Sequence, residues 1–279
     1  PLNNFTISKF GFWISSITYR PDYTTPFNYP IPNRVAWPSW GICFRGVISR
    51  RHKRMNRLNK DVSKFRLDGQ AALVTGSTRG IGWAIARGMA ESGSTVYVNG
   101  RDKKVLAARC KNLIDLGYDA KPAFFDATNI EAINRFLEYT EAPIDILVNN
   151  AAISLRKPLN EISPKAFSEV LEANLTSIYA ISRSFAARLE DQQTNGSLIN
   201  ITSIAGPRAR PGDPAYTAAK GGLEALTRSL AVELAPKIRC NAIAPGYFAT
   251  DANAAYLHNE EVKQFVENRI PLKLSLIHI

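Results

Sequence analysis

Residues 70–102 read "QAALVTGSTRGIGWAIARGMAESGSTVYVNGRD", and this stretch decides the fold. "AALVT" (71–75) is a short apolar run that stops at glycine, as a strand buried on both faces should. Gly76, Gly80 and Gly82 follow with the spacing G-x-x-x-G-x-G. Glycines let a backbone turn sharply and approach a pyrophosphate, and the helix that follows offers its N-terminus to the anion. "WAIARGMAE" continues as that helix, and "STVYVNG" as a second strand. Strand, glycine turn, helix and strand together predict the first unit of a dinucleotide-binding fold.

Outward from this unit the alternation continues. "KPAFFDA", "PIDILVNNAA", "GSLINITS" and "KIRCNAIAPG" predict strands three to six, with helical patterns over 102–116, 129–140, 163–190 and 214–235. Apolar strands that alternate with helices predict an α/β protein with a doubly wound, Rossmann-type parallel sheet in a single domain. Ligands then bind beyond the carboxyl ends of the strands. Asp126, Asn150, Ser203 and the pair Pro245–Gly246 all fall at such ends.

The cofactor is read at the end of the second strand. An Asp or Glu there would bond the adenosine ribose of NAD; this chain has Asn99, Gly100 and Arg101, with Arg79 inside the glycine turn. Arginine supplies the planar donors a 2′-phosphate needs, so NADP is expected, with NAD possible. The competing reading of both arginines is a solvated surface charge.

Tyr216 and Lys220, in "PAYTAAKGG" (214–222), stand four residues apart on a predicted helix. Such residues share a face, and an ammonium beside a phenol favours the phenolate, which suits acid–base work near neutral pH. The pair alone reads more readily as a surface accident than as a catalyst; partners at the same sheet edge decide for the proton device.

Composition bounds the rest. The chain has 279 residues and a net charge of +11. The first 54 residues carry eight Lys/Arg and one acid, and the remainder 27 Lys/Arg and 23 acids. The excess sits mostly in the first segment, so no nucleic-acid partner is expected for the main domain. That segment also holds Trp13, Trp37 and Trp40 and is dense in proline. It shows no lasting periodicity and no signal-peptide pattern. Because Met55 is the first methionine, residues 1–54 are expected to be a disordered, non-native upstream extension; the competing reading is a basic targeting or binding arm. Three cysteines without a C-x-x-C pair suit a reducing, cytoplasmic setting, and three histidines leave little for a metal site. No apolar run is long enough to span a membrane.

With six motifs in order, from about Leu67 to Leu272, the chain resembles the short-chain dehydrogenase/reductase family. "TGSTRGIG" (75–82), "NNAA" (149–152), Asn174 in "LEANLTS", Ser203 in "INITSIAG", the Tyr216–Lys220 pair and "APGYFAT" (244–250) match its motifs, with Ala152 in place of a glycine. The resemblance implies Tyr216 as acid/base and Lys220 as its tuner and a ribose contact. It implies Ser203 as a hydrogen bond to the reacting oxygen, and Asn174 as the holder of a water that links Lys220 to solvent. It also implies cofactor contacts from Gly76, Ser77, Thr78, Arg79, Gly80, Ile81, Gly82, Asn99, Arg101, Asp126, Ala127, Asn150, Ala151, Ala152, Pro245, Gly246, Phe248 and Thr250. Substrate contacts are expected from Ser154, Arg156 and Tyr247, with a solvated basic loop as the competing reading of Arg156 and Lys157, and no metal is expected.

Within the family, "NGRD", "RKPLNEI", "APGYFATDANAA" and "NRIPLK" are most similar to gluconate 5-dehydrogenases, with 3-oxoacyl-[acyl-carrier-protein] reductases second. The expected substrate is thus a small secondary alcohol or ketone, a sugar acid first. The expected assembly of full-length relatives is a homotetramer. The alternative of another class is a non-catalytic NADP-binding sensor or an inactive fragment. The family domain is expected over 55–273. Residues 274–279, "LSLIHI", break the pattern and read as a non-native tail, so the family's last strand is expected to be missing.

Overall fold

A computed structural model describes residues 63–140, 143–209 and 211–248, with Gln264 and Asn268 beyond them. The compact unit that carries the sheet begins at Arg66. The expectations for residues 1–54, for Thr250, for the tail at 274–279 and for a last strand lie outside the described residues.

Six strands form one parallel sheet: β1 (Ala71–Val74), β2 (Thr95–Gly100), β3 (Ala120–Phe124), β4 (Ile146–Asn149), β5 (Gly196–Ile201) and β6 (Ile238–Ile243). Their order is β3-β2-β1-β4-β5-β6. Helices α1 (Gly80–Glu91), α2 (Lys103–Asp115), α3 (Ile130–Tyr139), α4 (Pro164–Leu171), α5 (Ser177–Asp191), α6 (Ala205–Arg208) and α7 (Pro214–Glu233) connect them. This is the doubly wound sheet expected.

The strands read as near-continuous apolar runs because both faces are covered. Leu73, Leu147 and Leu198 point to one face, where Ile133 and Leu137 of α3, Ile181, Phe185 and Leu189 of α5 and Leu230 of α7 meet them. Ala72, Val74, Val98 and Val148 point to the other, against Ala86 and Ala90 of α1 and Leu106, Cys110 and Leu113 of α2. Fully burying one such leucine stabilises by roughly 1.5–3 kcal/mol, so each face closes its own hydrophobic layer.

Strand order reverses between β1 and β4, which are paired in register from Ala72–Ile146 to Val74–Val148. The two connections leave this point in opposite directions and open a crevice above the strand ends. Because all six strands run parallel, the ends of β1, β4, β5 and β6 share that edge.

The structure departs from the sequence reading along 163–190. That segment is helical without a break but not α-helical throughout: a π-helical turn over Glu172–Thr176 joins α4 to α5. A π-turn inserts one residue into a helix and is frequent at functional sites.

Candidate active site

The glycine turn follows β1 into α1. Gly76 and Gly80 take φ +61° and +56°, conformations that side chains disfavour. Gly82 is needed for space: a Cβ there would lie 2.6 Å from the Gly76 carbonyl oxygen. Arg79 occupies the N-cap of α1, and no side chain caps the helix. The first N–H groups of a helix have no partner within it, so this end presents donors and a positive dipole to the crevice. A close-packed glycine cradle at an uncapped helix end fits the pyrophosphate of a dinucleotide.

Three of the expected cofactor contacts have side chains bonded within the turn. Asn99 is buried; its Oδ1 accepts the Gly76 N–H at 2.9 Å, and its Nδ2 donates to the carbonyls of Ala123 and Phe125 at 2.9 and 3.0 Å. Ser77 is also buried, its hydroxyl donating to the Val74 carbonyl at 2.6 Å and accepting the Asn99 N–H at 2.9 Å. Asn150 donates from Nδ2 to the carbonyls of Thr75 and Gly76 at 3.0 and 3.2 Å. These side chains brace the turn, because a glycine-rich backbone needs outside partners to hold one shape. Through these bonds the three side chains act as a scaffold for the cradle.

Two residues of this scaffold escape sequence reasoning. The Thr75 hydroxyl accepts the backbone N–H groups of both Asn150 and Ala151, at 2.9 and 3.0 Å, and so ties β1 to β4 at the crevice. The Arg109 guanidinium lies 4.7 Å from the centroid of the Trp83 ring, and its Nε donates to the Thr78 carbonyl at 2.8 Å. Thr75 belongs to the quoted motif, but only the sheet order supplies its partners.

At the end of β2, Arg101 is exposed and its Nη1 donates to Asp126 Oδ2 at 3.2 Å. Burial alone would raise the Asp126 carboxyl, but bonds from the Thr128 N–H and hydroxyl and from Arg101 outweigh it and hold the group below the usual range. The one nearby acid of the "NGRD" run, Asp102, caps α2 by accepting the N–H groups of Lys104 and Val105. Both bonds end on its Oδ1, so Asp102 serves as the cap of α2, and Arg101 is the residue that directly follows β2. Arg79 is exposed at the same turn. Ala127 packs against the core, and Ala152 is exposed beyond β4.

The expected catalytic residues come from three elements. Asn174 lies in the π-turn, buried, and grips Ile153: its Oδ1 accepts the Ile153 N–H at 2.9 Å and its Nδ2 donates to the Ile153 carbonyl at 2.7 Å. Ser203 follows β5 half-buried, its Oγ accepting the Ala205 N–H at 3.1 Å. Tyr216 and Lys220 lie on α7, whose N1 position is Pro214. α6 and α7 touch through backbone: a Cβ on Gly206 would lie 3.1 Å from the Gly221 nitrogen. That approach brings the Ser203 segment against the turn that carries Lys220.

Lys220 is 1% exposed. Its Nζ donates to the Ile201 carbonyl at 2.7 Å and lies 5.7 Å from the centroid of the Tyr216 ring. Burial lowers the ammonium from its usual 10.5 to about 8. The i,i+4 spacing therefore does put amine and ring together, with the amine inside the protein. Pro245 closes the site from β6, its carbonyl accepting the Ile204 N–H at 3.3 Å. Gly246, Tyr247 and Phe248 follow it. Ser154 and Arg156 lie on the segment after β4.

Comparison with known proteins agrees with this geometry. The pattern of the short chain dehydrogenase family matches residues 70–261. The chain is 35% identical to a gluconate 5-dehydrogenase of Gluconobacter oxydans over 211 residues, 74% of this chain and 82% of that one. It is 37% identical to a 3-oxoacyl-[acyl-carrier-protein] reductase of Aquifex aeolicus over 214 residues, covering 75% and 85% of the two chains. Among solved structures, a gluconate 5-dehydrogenase from Burkholderia cenocepacia in complex with NADP and tartrate superposes with a TM-score of 0.73 at 33% identity, covering 77% of this chain and 86% of that one.

Proposed function

The chain belongs to the short chain dehydrogenase family, and we propose that it is an NADP-dependent oxidoreductase that interconverts a secondary alcohol and a ketone, with a sugar acid as substrate. The observation that carries this reading is Lys220: a buried amine 5.7 Å from the Tyr216 ring, at the sheet edge that also bears the glycine cradle. The bound nicotinamide supplies or receives the hydride. The chain's own residues handle the proton and the orientation. In reduction the Tyr216 phenol donates its proton to the carbonyl oxygen as the C=O π bond opens, and in oxidation the phenolate takes it back. Ser203 donates a hydrogen bond to that oxygen, and Lys220 stabilises the phenolate. Asn174 keeps the π-turn in place beside them. Arg79 and Arg101 pair with the 2′-phosphate, supported by their exposure at the glycine turn and directly after β2, where Asn99 and Gly100 stand in place of an acid.

The sugar-acid assignment is supported by the gluconate 5-dehydrogenase relatives and by Arg156 and Lys157, whose charges suit a substrate carboxylate. The 37% identity to an acyl-carrier-protein reductase favours a 3-oxoacyl thioester as the second reading. Among the described residues no helix is long and apolar enough to cross a membrane. A cytoplasmic homotetramer is the setting the family resemblance suggests, and light scattering reads the assembly. The assay follows NADPH oxidation with 5-ketogluconate and with acetoacetyl thioesters. 5-Ketogluconate should be the better substrate, and Tyr216→Phe should cut turnover roughly 10²–10⁴-fold while NADPH binding persists. Tight NADPH binding with no turnover of any ketone would instead mark a sensor.

A further inference from the structure

Asp213 is a buried carboxyl group that the proton transfer above does not use. It sits at the N-cap of α7, three residues before Tyr216, and is fully enclosed. Burying such a group is costly unless it is hydrogen-bonded, and its Oδ2 accepts the Ser154 hydroxyl at 2.8 Å. One residue earlier, the Gly212 carbonyl accepts the Lys157 N–H at 3.0 Å. The two bonds clasp the segment 153–157 to the start of α7. Gly212 takes φ +75°, so the chain turns at the clasp in a conformation suited to glycine. Pro214 then fixes the entry into the helix, and the Asp213 carbonyl accepts the Thr217 N–H at 3.0 Å. Asp213 and the first turn of α7 therefore move together. The other end of the segment is gripped by Asn174 through Ile153. Residues 153–157 thus bridge the π-turn and the turn that bears Tyr216.

We propose that Asp213 is a positioning residue: by holding Ser154 it sets the segment 154–157, which carries the expected substrate contacts Ser154 and Arg156 and serves as a wall of the substrate site, against the helix that carries Tyr216. The inference rests on the reading of Tyr216 as the acid/base. Asp213 is enclosed and does not touch the substrate; it fixes the distance between the wall and the phenol. Orientation of the reacting group carries a large part of an enzymatic barrier, so a loosened wall lowers kcat and raises KM for the ketone. The glycine cradle is braced by other residues, so NADPH affinity stays.

The test is a double-mutant cycle in the intact protein, read as kcat and KM for whichever ketone the wild type reduces and as the Kd of NADPH. Ser154→Ala and Asp213→Ala should each lower kcat/KM roughly tenfold, as expected for one lost bond to a charged group. The double variant should lose clearly less than the product of the two single losses, because both remove the Ser154–Asp213 bond. Asp213→Asn keeps an oxygen that accepts the Ser154 hydroxyl and should stay within about threefold of wild type. The Kd of NADPH should hold within about twofold, because no cradle contact is removed. Losses that multiply in the double variant would overturn the inference, as would an Asn variant as poor as the Ala variant. A parallel loss of NADPH affinity would overturn it too. If Asp213→Ala does not fold, Ser154→Ala against Asp213→Asn carries the same contrast. Tyr216→Phe runs beside them: if it stays active, the acid/base reading falls and the inference with it. If it is inactive while the Ser154 and Asp213 losses multiply, the positioning role alone falls.

Discussion

Arg101 stands where a ribose-binding acid would select NAD, and its neighbours explain how it can serve a phosphate. Its pairing with Asp126 at 3.2 Å is exposed on both sides. Such pairs contribute little, on the order of 0–1 kcal/mol, so the guanidinium can turn to a 2′-phosphate at small cost. Arg101→Asp removes that donor and places a second carboxylate beside Asp126. The Kd of NADPH should rise more than tenfold, roughly the worth of a charge-assisted bond plus repulsion, while that of NADH changes little. Titration by nucleotide fluorescence reads both; equal changes would remove Arg101 from the selectivity argument. Asn99, two residues earlier, shows what residue-level reading could and could not reach. The motif placed it at the crevice. Whether its amide faced a cofactor or the turn depended on the carbonyls of Ala123 and Phe125, which come from a different strand and the residue after it.

Among the elements, α1 is where sequence spacing and packing agree most closely. Two of its three glycines have opposite surroundings. A Cβ on Gly82 would meet the Gly76 carbonyl at 2.6 Å, whereas one on Gly88 would meet nothing within 4 Å. Gly82→Ala should therefore distort the turn, cost about 1–3 kcal/mol of stability and weaken NADPH at least tenfold. Gly88→Ala should be neutral or stabilise by about 0.5–1 kcal/mol through helix propensity. Thermal melts with and without NADPH separate the two; a tolerated Gly82→Ala would show that the cradle is not close-packed. The π-turn before α5 is the opposite case. Its sequence, "EANLT", has no periodic signature against a plain helix. It is held open by a tertiary grip, Asn174 on both backbone groups of Ile153, that spacing within the helix cannot reveal.

At the scale of the whole molecule, the helix-covered parallel sheet creates the interior in which Lys220 sits, and the consequence is measurable. Its ammonium loses its proton near pH 8 in the folded protein and near 10.5 when free. Between those values the unfolded chain holds a proton that the folded one does not, so stability rises with pH across the window. Below pH 8 both forms are protonated and the penalty for the buried charge stays in full. Denaturant midpoints of cofactor-free wild type and Lys220→Met should therefore converge as pH climbs from 8 toward 10, by up to on the order of 3 kcal/mol. Parallel curves would mean that Lys220 is not buried as a charge. The sequence by itself determined the strand–helix alternation, the glycine turn, the edge at which the motifs meet and the Tyr216–Lys220 pair. Each of these is a matter of local pattern: apolar runs, backbone freedom at glycine, and the i,i+4 geometry of a helix. Only the tertiary structure decided which polar side chains face the crevice and which brace it, that Thr75 and Arg109 hold the turn, that the helix over 163–190 opens at Asn174, and that Asp213 is sealed against Ser154. Those outcomes depend on hydrogen bonds between segments as far as 76 residues apart in the chain, and a buried polar group takes whichever partner the packed fold brings within reach.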